Sequence, residues 1–99
     1  MVSVSIRKVL KTSDRTYDAI LDVTYKERTI KLVIPGLVRE PKDVKVEVIA
    51  NKEIKLELIN DEGKGYATCY IPIATLEKGY LELICPKGSG WVISKEEHT

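Results

Sequence analysis

Apolar and charged residues alternate along much of this chain. Val44-Lys45-Val46-Glu47-Val48 alternates strictly, as do Ile54-Lys55-Leu56-Glu57-Leu58 and Leu81-Glu82-Leu83; Ile30-Lys31-Leu32-Val33-Ile34 nearly does. A period of two sends successive side chains to opposite faces of a strand, so each run buries one face and wets the other. Antiparallel sheets with a core on one side show this pattern. Turn-forming residues punctuate the runs: Pro35-Gly36, Asn51-Lys52-Glu53, the stretch 60–65, Lys78-Gly79 and the stretch 86–90. The spacing predicts strands near 20–25, 28–34, 44–50, 54–59, 66–72, 74–77 and 80–85, with a last one at 91–93. Val2, Val4 and Ile6 alternate with serines and add a short strand at 2–6. No segment carries a convincing 3.6-residue apolar stripe, and 39–43 offers one helical turn at most. Many short strands at regular turn spacing predict a β-sandwich or a small barrel.

Composition agrees with that reading and removes several function classes. The 99 residues include 10 Val, 11 Ile and 9 Leu, and β-branched side chains suit a pleated, half-buried surface. No apolar window is long enough for a membrane-spanning helix, and Met1–Leu10 lacks the apolar core of a secretory signal, so a cytoplasmic protein is expected. The net charge of +1 and pI near 7.7 lack the excess of positive charge typical of nucleic-acid binding. The absence of Gln, with only two Asn and abundant Lys, Glu and Ile, fits a thermophilic source.

Two cysteines, Cys69 and Cys85, and one histidine, His98, do not make a four-ligand zinc site. The cysteines read either as small core residues or as an intersheet disulfide of the kind that cytosolic proteins of hyperthermophiles tolerate. His98 reads as part of a solvated tail. Gly63-Lys64-Gly65 lacks the spacing of a phosphate-binding loop, and no Ser-His-Asp or Cys-His arrangement is available. Acidic residues interleave with lysines on the outward parity of strands, which reads as solvated cross-strand pairing. The chain is therefore not expected to be an enzyme, nor to hold a cofactor or metal.

Three segments together resemble the small heat-shock proteins with their α-crystallin domain. Thr29-Ile30-Lys31-Leu32-Val33-Ile34-Pro35-Gly36-Leu37, behind Asp22-Val23, resembles the family's strand ending in an apolar-Pro-Gly-apolar turn. Glu40-Pro41-Lys42-Asp43, leading into Val44–Val48 and then Ile54–Leu58, resembles its acidic turn and strand pair. The run from Ala74 through Gly79 and Leu81 to Pro86-Lys87 resembles its A-x-x-x-x-G-x-L hairpin. Here Gly79 is expected to supply a positive φ in a two-residue turn. Leu81, Leu83 and Cys85 should face the core, and Pro86 should end the strand.

The resemblance implies an immunoglobulin-like antiparallel β-sandwich of the α-crystallin type with about seven to eight strands. It divides the chain into a short N-terminal arm at 1–19, the sandwich at 20–88 and a tail at 89–99. It also implies ATP-independent chaperone or co-chaperone activity on exposed apolar segments of unfolding client proteins. An adaptor for one folded partner, such as an ATPase, is the alternative. In the family a C-terminal segment docks in a groove that maps here to Val44, Val46, Val48 and the strand with Leu76. The matching tail segment is Trp91-Val92-Ile93, which either packs on its own chain or docks in a neighbour. The swap loop of many members is cut here to the stretch 60–65, and the arm is short. This shifts the resemblance toward compact relatives such as CS-type co-chaperone domains, and toward a monomer or small homodimer rather than a large oligomer.

Overall fold

The computed structural model describes residues 1–85 and 93–95. They form two sheets: β1 (Val2–Lys11), β2 (Tyr17–Tyr25), β3 (Arg28–Leu37), β7 (Glu82–Ile84) and β8 (Ile93–Lys95) in one, and β4 (Asp43–Ile49), β5 (Glu53–Ile59) and β6 (Gly65–Pro72) in the other. The order is β1-β2-β3-β7-β8 against β4-β5-β6. The protein is an all-β, sandwich-like fold, as the alternation predicts. Every strand pair is antiparallel except β3–β7, which is parallel. The inward residues of the alternating runs make the core. Leu21 and Val23 of β2, Ile30 and Leu32 of β3, and Ile54 and Leu56 of β5 are all essentially inaccessible. Cys69 in β6 and Cys85 just beyond β7 are joined in a disulfide that ties the small sheet to the large one.

The structure extends or corrects five expectations. The segment expected as an arm with a strand over 2–6 is a ten-residue strand. Its alternation breaks at Arg7-Lys8, which is where the sequence pattern stops. A bulge at Arg7 absorbs the extra residue, so Ile6 pairs with Leu21 and Val9 regains the inward parity opposite Ala19. Arg7 turns outward onto Asp22, with Nε 3.1 Å from Oδ2.

Pro35-Gly36 bulges β3 rather than ending it. Tyr17 pairs with Leu37 and Ala19 with Ile34, leaving Asp18 opposite two residues. Gly36 takes a φ of 71°, and its N–H donates to Asp18 Oδ1 at 3.0 Å.

The strand expected at 74–77 is a single helical turn, α1 (Ile73–Leu76). Ile73 and Leu76 sit at helical spacing, and Leu76 is buried. Extended Pro72 precedes the turn, and the Glu77 N–H donates back to the Ile73 carbonyl at 3.2 Å. The hairpin expected around Lys78-Gly79 is therefore a crossover. The chain leaves β6 in one sheet and enters β7 in the other, and stacked sheets lie ~10 Å apart, too far for a two-residue turn. Gly79 does take a positive φ, 85°. Finally, Leu83 and Cys85 face the core as expected, but Leu81 is 56% exposed. It precedes β7, and its carbonyl accepts from Lys31 N–H at 3.1 Å.

The loop from β5 to β6 is built on Asn60. Its Oδ1 accepts the N–H groups of Glu62 and Lys64 at 2.9 and 3.0 Å, a side-chain imitation of a backbone turn. At the start of β6 the Tyr66 hydroxyl donates to the Arg39 carbonyl at 2.6 Å, and burial pushes its pKa up to about 12. Tyr66→Phe should cost about 1 kcal/mol in denaturant unfolding at neutral pH. The stabilisation belongs to the protonated phenol. It should be complete below the ordinary tyrosine value and disappear as pH rises through about 12, and the phenylalanine variant should lack that alkaline loss.

Candidate partner-binding edge

β4 is an outer strand of the three-stranded sheet and, among the described residues, pairs only with β5. Val44, Val46 and Val48 stand opposite Leu58, Leu56 and Ile54, so they share the core-facing side of the sheet. Their partners are at most 1% exposed, yet Val46 is 36% and Val48 48% exposed. The reason is geometric. β4 lies at the margin of the sandwich, and β1, the outer strand of the other sheet, packs against it. Val2, Val4 and Ile6 are the inward residues of β1 and, like Val44, are partly buried against the core. The result is an apolar seam between two strand edges. On the outward face of β4, Lys45 and Glu47 lie opposite Glu57 and Lys55 of β5.

Two of the other edge strands are guarded. β1 is bent by its bulge at the charged pair Arg7-Lys8, and β6 ends in Pro72, which has no N–H to offer. β4 contains no Pro, Gly or register shift. Its outer N–H and C=O groups, unpaired among the described residues, therefore offer a regular ladder to an added strand, and its half-covered valines offer apolar contact beside it.

The expected groove between Val44–Val48 and the segment carrying Leu76 does not form. α1 packs on β6 and β5, β5 separates it from β4, and Leu76 is a core residue, 1% exposed. The seam instead uses β1, whose Val2-Val4-Ile6 alternation was the available signal but reads as part of an arm. Among the structural motif residues, Pro35 and Gly36 make the β3 bulge, Ala74 is exposed on α1, and Gly79 and Leu81 lie in the crossover. Ile93 belongs to β8, paired with Ile84 of its own chain. Trp91 and Pro86 lie outside the described residues.

Among the described residues no cluster of His, Cys, Asp or Glu is arranged to hold a metal ion. No helix among them is long and apolar enough to cross a membrane. Lys26 holds its proton more strongly than a free lysine, chiefly through its hydrogen bond to Glu77; this exposed contact ties the β2–β3 turn to the residue after α1. No family model, curated protein or solved structure matches the chain.

Proposed function

We propose that this domain binds an extended apolar segment of another protein as an added strand on β4, acting as an ATP-independent chaperone or co-chaperone of the small heat-shock type. The observation that supports this reading is the pair Val46 and Val48. They are inward-facing residues of a regular edge strand, left 36% and 48% exposed. A docked strand would extend the backbone ladder and cover them, which needs no nucleotide. The preferred segment carries apolar residues at alternate positions. The intervening residues are an acid opposite Lys45 and a base opposite Glu47. The setting proposed is the cytoplasm of a thermophile, where a buried disulfide survives. One feature favours the adaptor as a second reading: β4 is only seven residues long and carries charges of both signs, so it can select a single partner sequence.

The protein at several-fold excess should suppress thermal aggregation of a test client; no protection would end the chaperone reading. The combined Val46→Lys and Val48→Lys variant should lose binding of an alternating apolar peptide by at least about tenfold, because docking would bury lysines in the seam. Its stability should stay within about 1 kcal/mol, since both side chains are already well exposed. Affinity capture separates the readings: one stoichiometric partner supports the adaptor, a heat-dependent crowd the chaperone.

A further inference from the structure

Around its centre β4 is complementary to itself. Val46 is flanked by Lys45 and Glu47, and these by Val44 and Val48. We propose that β4 pairs antiparallel with β4 of a second copy of this chain, with Val46 on the two-fold axis. In this register Lys45 meets the partner's Glu47 and Glu47 the partner's Lys45. Val44 meets the partner's Val48, and the two copies of Val46 meet each other. The charged pairs lie on the outward face and the valines on the inward face, because the strand alternates. The two small sheets then join into one, with the strand order β6-β5-β4-β4-β5-β6, and the half-exposed valines of each copy cover those of the other.

No neighbouring register does this. Centring on Lys45 places two lysines on the axis and brings Asp43 against Glu47. Centring on Glu47 places two glutamates on the axis. A one-residue slip sets Val46 against Lys45 or Glu47 of the partner. Such an isologous contact is self-complementary by construction and closes at two copies. It is small, below the ~1,200 Å² typical of stable complexes, so the dimer is weak and depends on concentration. It uses the edge assigned above to a client but stands without that reading; an edge filled by a second copy cannot also take a client.

The test is sedimentation equilibrium of the full chain across a concentration series. Wild type should show a monomer–dimer equilibrium. Lys45→Glu alone sets acid against acid twice, and Glu47→Lys alone sets base against base twice. Each should associate about ten- to thirtyfold more weakly. An equimolar mixture of the two variants should restore association as a heterodimer, since every pair is then opposite in sign. The Lys45→Glu/Glu47→Lys double variant should also dimerise. It loses both intrachain pairings to β5, so the order expected from destabilisation alone is the reverse. Wild type that stays monomeric, single variants that dimerise unchanged, or a mixture that fails to recover would each overturn the proposal. Peptide binding by dilute wild type is measured separately and reports only on client docking. If a single variant fails to fold, mixing Val46→Lys with Val46→Glu repeats the test on the axis itself.

Discussion

Leu32→Ala should lower the free energy of unfolding by about 2–5 kcal/mol. Leu32 is wholly inaccessible and stands between Leu21 of β2 and Leu83 of β7 on the inward face of the five-stranded sheet. Its removal deletes buried methyl groups and leaves a cavity in a closely packed interior. A domain of this size has only about 5–15 kcal/mol in total, so the variant gives up a large share. Urea unfolding at constant temperature measures the loss. Lys31→Ala, one residue away on the outward face, is the control and should change stability by about 0.5 kcal/mol or less. A loss below about 1 kcal/mol in Leu32→Ala would mean that β7 does not pack where the structure places it.

The second large effect concerns the disulfide. Cys69 and Cys85 are 16 residues apart in sequence, with Cα atoms 6.4 Å apart. Closing a loop of that length restricts the unfolded chain by about 3 kcal/mol. Cys69→Ala with Cys85→Ala should therefore lower the melting temperature by roughly 10–20 °C. Both cysteines are almost fully buried, so reductant should reach the bond only as the domain opens. Oxidised protein should resist alkylation under native conditions and gain two labels after reduction in denaturant. An alanine pair that melts with wild type, or two labels without reduction, would refute the pairing. The bond joins β6 to the end of β7, next to the parallel pairing of β7 with β3. β7 is only three residues long, so the clamp secures the shortest central strand of the core.

Much of the fold was legible in the chain, for a specific reason. Where alternation was strict, as in Val44–Val48 and Ile54–Leu58, strand and inward face followed directly from the period of two. It failed where a local device shifted the parity. The bulge at Arg7 hid the second half of β1. The bulge at Pro35-Gly36 looked like a strand end. Ile73 and Leu76 stand three apart, and four residues are too few to tell a helical turn from a strand. The candidate edge was half legible. Val46 and Val48 could be named, but nothing in their neighbours' identity said that the opposite sheet leaves them partly uncovered.

By itself, then, the sequence determined the class of fold, the inward and outward faces of its longer strands, and the Val-Lys-Val-Glu-Val order that makes β4 self-complementary. These depend on residues close together in the chain. Only the tertiary structure decided which edges stay open, that β1 rather than α1 lies across from β4, that 73–81 crosses between sheets, and that Cys69 meets Cys85. Each of those depends on how the two sheets stack, which places residues far apart in sequence side by side.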